Sequence, residues 1–517
     1  MVVGDLIRNV VRRSPNKAGI IYEDKCYTWS EVNQRVNRFA SALASLGLQK
    51  GDKVGILAQN SGQYAEVYFA LVKTGIIAVP IGWQSAPPEI TYILNHSEAK
   101  AIVVDSEYLP SIDAIRAELK TVAHVICFGE GHANSLDYET LVAQGVDEEP
   151  VAEVFPEDVR ILSYTSGTTG KPKGCIVTHG QSIAGLANCL IENPIPRAQP
   201  TLLSIPFYTG FGNTRLFLGL YNRSTLVILR RFRPEQVFDA IQKYKVAHMC
   251  VVPTMIVAMC NSPEIQNYDL SSLRLIGYGG SVIAPAVLKR AIELFKCDFY
   301  QGFGAMEVGG LVAFLSPEDH RLDGTELKEK RLLSTGREAQ YAKIRIVGDD
   351  GRELPANQPG EMIVKVDSAI SGYWKMPEKT AETIRDGWVY TGDVAYRDED
   401  GYIYVVDRKK EMIVSGGMNV YPAEIETALY THPAVAQAAV IGVPDERWGE
   451  AVKAIIELKK GAHATEEEIL EFCRERLAAY KKPKSVEFVD SIPVGSSGKV
   501  VKRELRERYW QGRERRV

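Results

Sequence analysis

Thr165-Ser166-Gly167-Thr168-Thr169-Gly170-Lys171-Pro172-Lys173-Gly174 sets four hydroxyl residues, three glycines and two lysines in ten consecutive positions. Apolar Ile161-Leu162 leads in and Cys175-Ile176-Val177 leads out, so the polar run reads as the loop between two short strands. Glycines let the main chain come close to a ligand and turn its N–H groups toward it, hydroxyls add donors, and lysines add positive charge. That chemistry suits a polyphosphate. The spacing differs from a Walker A loop, which needs four residues between its first glycine and Gly-Lys and then Ser or Thr. Here Gly170-Lys171 comes three positions after Gly167 and Pro172 follows, which disfavours a P-loop kinase or GTPase.

Outward from this loop, the chain of 517 residues is too long for one core and should form at least two domains. Apolar content of 45% and charged content of 24% are ordinary for a globular protein. A formal net charge of −4 gives no basis for nucleic-acid binding. The basic tail from Lys499 to Arg516 is interleaved with Glu504, Glu507 and Glu514 and reads as a solvated terminal helix. The eight cysteines stand singly, with no Cys-x-x-Cys, as buried free thiols of a reducing compartment would. The histidines are scattered too, which disfavours a His/Cys metal site. Met1 to Arg13 has no signal-type apolar core, and Val246 to Cys260, interrupted by His248 and Pro253, is too short to span a bilayer. A cytoplasmic location without a membrane span is expected, and a homo-oligomer is compatible with it.

The first two-thirds of the chain alternates strand-like and helical runs. Val54–Leu57, Ala101–Val104 and Val125–Phe128 read as strands, and Tyr64–Lys73 and Ala114–Lys120 as helices. Such alternation implies α/β layers with largely parallel sheets. From Gly336 to Val406 short strands are punctuated by Asp349-Asp350-Gly351 and Asp398-Glu399-Asp400-Gly401, consistent with hairpins that close as a small barrel or sandwich. After the charged run Asp407 to Glu411, strands near Ala438–Ile441 and Ala451–Leu458 and helices near Ala423–Tyr430 and Glu466–Ala479 predict a small α+β domain. The expected division is 1–407, a hinge at 408–411, and 412–517.

The loop at 165–174 resembles the phosphate loop of the adenylate-forming superfamily, which includes the acyl-CoA synthetases, and the resemblance extends over nearly the whole chain. It implies that Thr165, Ser166, Gly167, Thr168, Thr169 and Lys173 bind ATP. Tyr278-Gly279-Gly280-Ser281 resembles the adenine-side loop, with Gly279, Gly280 and Ser281 against the base. Gln301-Gly302-Phe303-Gly304-Ala305-Met306-Glu307 is similar to the aromatic-Gly-x-Thr-Glu motif. It implies Gly302, Phe303 and Gly304 at the nucleotide and Glu307 on Mg²⁺, with Thr165 as a second oxygen ligand. Met306 stands where the family has a threonine that donates to the α-phosphate, and a thioether cannot donate.

Tyr390-Thr391-Gly392-Asp393 matches the ribose-binding motif, with Asp393 accepting from both hydroxyls, and Asp407-Arg408 matches a second nucleotide contact. Lys410 falls at the family's hinge position. Ser415-Gly416-Gly417-Met418 resembles the glycine loop that forms part of the pantetheine tunnel, implying CoA as a substrate. Pro493 to Val500 is similar to the C-terminal Gly-Lys signature, implying Lys499 as the catalytic bridge between carboxylate and α-phosphate. The implied fold is a large N-terminal domain of layered α/β sheets with a small β-barrel-like part, then a small mobile α+β domain.

Pro206 to Gly212 matches the acyl-pocket segment. It carries no acidic residue, which disfavours an α-amino acid, and Tyr208 or Thr209 replaces the usual histidine. Phe207, Tyr208, Thr209, Phe211, Met255 and Tyr278 are the expected lining, suited to an aryl, alicyclic or medium-chain acid. A dicarboxylate is less favoured, although Arg215 could hold a second acid group. The rival readings are an adenylate former with an acceptor other than CoA, and a catalytically weak AMP- or ATP-binding protein.

Overall fold

The computed structural model describes the chain except residues 130–133, 166–170, 194, 282, 284, 322, 410, 416–417, 494–499 and 512–517. Two large sheets make the first part. One runs, edge to edge, Gly372–Tyr373, Lys173–Thr178, Val159–Thr165, Ile77–Ile81, Lys53–Leu57, Ala101–Asp105, His124–Phe128, Leu136–Asp137. The other runs Arg337–Glu338, Gly310–Leu315, Asp298–Ala305, Leu275–Gly279, His248–Val251, Thr201–Leu203, Leu226–Ile228, Ala18–Tyr22, Lys25–Thr28. Their central strands pair in parallel, as apolar runs linked by helical crossovers require. Ala101–Asp105 is buried at every position, so it reads as a continuous apolar run and not as an alternation.

Local chemistry sets the helix starts. Thr28 caps Trp29–Ser45 through a capping box with Glu31, and Thr178 does the same for His179–Glu192 with Gln181. The helix expected at Ala114–Lys120 begins earlier, at Leu109–Ile115, and finishes as a 3₁₀ turn. Pro110 in its first turn is the start signal that the apolar spacing alone did not reveal. The apolar stretch after Val246 divides into the strand His248–Val251 and the helix Pro253–Asn261, with Pro253 opening the helix. Among the described residues no helix is long and apolar enough to cross a membrane.

The segment with hairpin signals is a five-stranded antiparallel sheet in which Ala342–Val347, Gly360–Val366 and Trp388–Arg397 pair in turn. Asp398 to Gly401 turns the last of these into Ile403–Arg408. A further five-stranded sheet carries Met418–Val420, Ile413–Ser415, Gly449–Leu458, Val435–Asp445 and Ser485–Phe488. Helices Pro422–Leu429 and Glu466–Arg474 cover one face, the second ending earlier than expected.

The basic tail departs from its expectation. Its helix, Lys502–Trp510, packs on the sheet instead of standing in solvent. Leu505 is buried with Ile441 and Ile455, Trp510 donates to the Gly442 carbonyl, and Lys502 pairs with Glu426 at 2.8 Å. All eight cysteines are free, six of them buried.

Candidate active site

The polar loop is the turn of a hairpin. Val159–Thr165 and Lys173–Thr178 pair antiparallel, with Thr165 opposite Lys173 at the mouth. Ser166, Gly167, Thr168 and Thr169 lie outside the described residues. Gly372–Tyr373 adds to the outer edge of this hairpin, with Tyr373 opposite Cys175. That pairing sets the Tyr373 ring under the Lys173 ammonium at 4.7 Å and lets its hydroxyl donate to Glu307 Oε1 at 2.9 Å. Burial, and then the Glu307 charge, push the Tyr373 phenol far above its usual range, so it stays a donor. A continuous run from Lys173 through Tyr373 to Glu307 thus joins the hairpin of one large sheet to a strand end of the other.

That strand end belongs to Asp298–Ala305, whose neighbour Leu275–Gly279 runs parallel with Gly279 opposite Gly302. Open α/β sheets place ligands beyond the carboxyl ends of such strands. Gly280 and Ser281 are exposed there, and Phe303 and Gly304 are half-buried. Glu307 sits in the turn that follows, held by Ile370 N–H donating to its carbonyl. Gly309 closes the turn with φ +68°, and a Cβ there would overlap the Ser368 carbonyl oxygen. Gly309→Ala is expected to lower stability by about 3 kcal/mol, seen as a reduced urea midpoint with unchanged slope. An unchanged midpoint would show that the turn yields.

Met306 lies against Gly210, where a Cβ would overlap its Sδ. The thioether therefore fills the space left by a glycine at the start of the helix Gly210–Tyr221. Met306→Thr is expected to raise kcat/KM for ATP in pyrophosphate exchange about 10-fold, through one hydrogen bond to a charged acceptor. A decrease would show that packing on Gly210 matters more.

The residues expected at the acyl pocket stand in different surroundings. Phe207 is fully buried, with its ring edge-on to Tyr64 at 5.7 Å. Tyr278 is 1% exposed and its hydroxyl pairs with His320 Nε2 at 2.9 Å. Both side chains are core members rather than an open wall, because each has its partners inside a packed cluster. Thr209 caps the helix, its hydroxyl accepting from Gly212 N–H at 3.0 Å. Tyr208, Phe211 and Met255 remain half-buried.

Asp393 and Arg408 face each other across an antiparallel pair, with Arg408 Nε 2.8 Å from Asp393 Oδ1. Asp393 is 2% exposed and Arg408 half-exposed, so one end of the pair is fixed and the other reaches outward. Asp407 accepts from Ala423 N–H at 3.0 Å, at the start of the helix Pro422–Leu429. Burial raises its carboxyl above the usual range, against the opposing charge of Lys502. Lys410, Gly416, Gly417 and Lys499 lie outside the described residues. Beside them, Ser415 pairs with Met418, and Val501 N–H donates to the Pro493 carbonyl at 2.9 Å.

Sequence reasoning missed Tyr373. No motif marks it, because its role depends on an edge strand some two hundred positions after the loop it joins.

The chain has counterparts among known proteins. Residues 7–374 match the model of the AMP-binding enzymes, and residues 424–499 match the C-terminal domain model of the same enzymes. A feruloyl-CoA synthase from Amycolatopsis sp. is 35% identical over 499 residues, covering 96% of this chain and 97% of that protein. The fatty acid–acyl-carrier-protein ligase ScoC of Streptomyces coeruleorubidus is 34% identical, covering 98% of this chain and 96% of that one. The crystal structure of the anthranilate CoA ligase AuaEII with anthranoyl-AMP superimposes with a TM-score of 0.91 at 28% identity, covering 98% of this chain and 97% of that one. A large mixed α/β region followed by a smaller α+β region is the fold of the adenylate-forming enzymes. The chain belongs to the AMP-binding enzyme family, and its enzyme class is that of the AMP-forming acid–thiol ligases.

Proposed function

We propose that the chain is an acyl-CoA synthetase that converts an aryl, alicyclic or medium-chain carboxylic acid to its CoA thioester through an acyl-adenylate. The observation that carries this reading is the run Lys173–Tyr373–Glu307, which gathers a cation, a phenolic donor and a carboxylate between the loop and the strand end. In the first step a carboxylate oxygen bonds to the α-phosphorus of ATP and pyrophosphate leaves. Both reactants are anions, so the barrier is largely electrostatic, and fixed positive charge lowers it.

Lys173 and backbone N–H groups of the loop at 165–174 other than Pro172 would hold the β- and γ-phosphates. Asp393 would accept from the ribose hydroxyls, with Arg408 orienting it. Gly279, Gly280, Ser281, Gly302, Phe303 and Gly304 would frame the adenine.

Glu307 and Thr165 present oxygen ligands, the donor type Mg²⁺ takes beside phosphates. The single carboxylate fits an ion held mainly by the nucleotide. When bound, Mg²⁺ would supply charge neutralisation on the phosphates. Lys499 would bridge the acid carboxylate and the α-phosphate. In the second step the CoA sulfur bonds to the acyl carbon and AMP leaves, with Gly416 and Gly417 bordering the pantetheine.

The proposed division into 1–407, a hinge at 408–411 and 412–517 draws support from the side chains flanking Lys410. Lys409 bonds back to Glu361 at 3.2 Å, whereas Glu411 pairs forward with Arg506 at 2.6 Å. The two side chains attach on opposite sides of Lys410, which supports a pivot there, with the Ala423–Asp407 bond a contact that crosses it.

The half-buried Tyr208, Phe211 and Met255, and the named aryl substrates of two relatives, support an apolar-bodied acid. ScoC, named for a carrier-protein acceptor, favours a second reading with that acceptor. The deciding experiment is pyrophosphate release from Mg-ATP over a panel of acids, with and without CoA. AMP and a CoA thioester are expected. Release without thioester would transfer the reading to another acceptor, and no release with any acid would overturn it.

A further inference from the structure

Behind Phe211, on the same face of the helix Gly210–Tyr221, lies Arg215, 4% exposed. Phe211 is half-buried and its ring lies 4.8 Å from the guanidinium carbon, covering it. Arg215 Nη1 donates to the Tyr300 hydroxyl at 3.1 Å, but Nε and Nη2 find no oxygen or nitrogen acceptor. The groups around it are the Cys189 and Cys250 thiols, Tyr300 and His248.

Cys189, Tyr300 and His248 offer no ready counter-charge. Burial raises the Cys189 thiol and the Tyr300 phenol, so neither ionises readily. His248 is held neutral, down to about 3, by burial and by the Arg215 charge itself. The adjoining cavity of about 10 Å³, lined by Thr201, Gly219 and His248 among others, has room for no more than a single water, so a carboxylate would reach the guanidinium only with the half-buried Phe211 ring displaced from it. A buried cation that lacks a carboxylate partner is unfavourable, and apart from the Tyr300 hydroxyl Arg215 has only the Cys189 thiol, a weak acceptor, as a hydrogen-bond partner. A carboxylate accepts from a guanidinium in a bidentate way and offsets both deficits at once.

We propose that Arg215 is the anchor for a second carboxylate, so that the acid activated here has an apolar body with an anionic group at the end remote from the reacting carboxyl. This deepens the ligase reading and rests on it. The half-buried Tyr208, Phe211 and Met255 would contact the body of the substrate, and the guanidinium its far end. Arg215 is then a specificity residue that never touches the reacting atoms.

The test is adenylate formation with matched acids, an α,ω-dicarboxylate and the monocarboxylate of equal length, in an aliphatic and an aryl series. The wild-type protein is expected to favour the dicarboxylate in at least one series. Arg215→Met is expected to lower the ratio of dicarboxylate to monocarboxylate kcat/KM by about 100-fold, since a site built to pair a charged group loses most when that pairing goes. A second measurement does not need the variant: the dicarboxylate alone should raise the melting temperature of the wild-type protein more than the monocarboxylate does. Turnover of monocarboxylates only, with no such rise, would overturn the anchor and leave the ligase reading standing. An unchanged ratio in a folded Arg215→Met protein would overturn it too. No turnover with any acid would overturn both readings.

Discussion

Lys499→Ala is expected to slow adenylate formation from acid and ATP about 10³-fold while largely sparing thioester formation from pre-made acyl-adenylate. The magnitude is that of removing one charged group aimed at developing negative charge in a site that excludes water. The asymmetry follows from the order of the steps. Lys499 would neutralise the approach of carboxylate to phosphate, whereas in the second step the acyl carbon is already activated and AMP departs unaided. The residues on either side are firmly held, by the backbone bond from Val501 to Pro493 and by the Lys502–Glu426 pair. The loss should therefore be chemical rather than structural, with an unchanged unfolding midpoint. Rapid-quench measurement of each half-reaction checks it, and equal loss of both would sink the assigned role.

Glu307→Gln should reduce adenylation about 10²-fold and raise the Mg²⁺ concentration needed for half-maximal rate. The amide keeps the shape of the side chain and an oxygen to accept from Tyr373, so the contact at 2.9 Å survives while the charge is removed. A neutral oxygen is a weaker ligand for a hard cation. Tyr373 also loses one of the influences that raise its phenol, although burial, the larger cause, continues to keep it protonated. Pyrophosphate exchange at graded Mg²⁺ tests this. A full rate with an unaltered Mg²⁺ requirement would remove Glu307 from the metal site.

Much of the fold was legible because apolar runs and turn clusters report on local structure. Lys53–Leu57, Ala101–Asp105 and His124–Phe128 lie within one residue of their expected bounds, being continuous apolar runs between polar flanks. The hairpin around residues 165–174 was legible for the same reason. The terminal helix was seen but its environment was not. Leu505 and Tyr509, one turn apart on that helix, were the available signal, and the surrounding charges masked them.

At the site, the motifs speak of backbone positions, whereas side-chain surroundings depend on distant parts of the chain. Phe207 and Tyr278 stand in the expected segments, yet their rings turn into the core, a choice made by Tyr64 and His320 from distant parts of the chain. Tyr373 and the surroundings of Arg215 were out of reach of any motif. Both depend on which groups the two sheets bring together, and a missing counter-charge leaves no trace in a sequence.

Arg506 grips Glu411, the first described residue beyond the proposed pivot, while its own helix is fastened to the sheet at Lys502 and Trp510. The last helix of the chain is thus bolted to the shaft about which its domain would turn. Were residue 410 the pivot, the Glu411–Arg506 pair would give its rotation a direct connection to the helix that begins at Lys502. Trimming that helix would leave a crank without its connecting rod, a pivot still free to rotate and a lysine loop no longer timed to it.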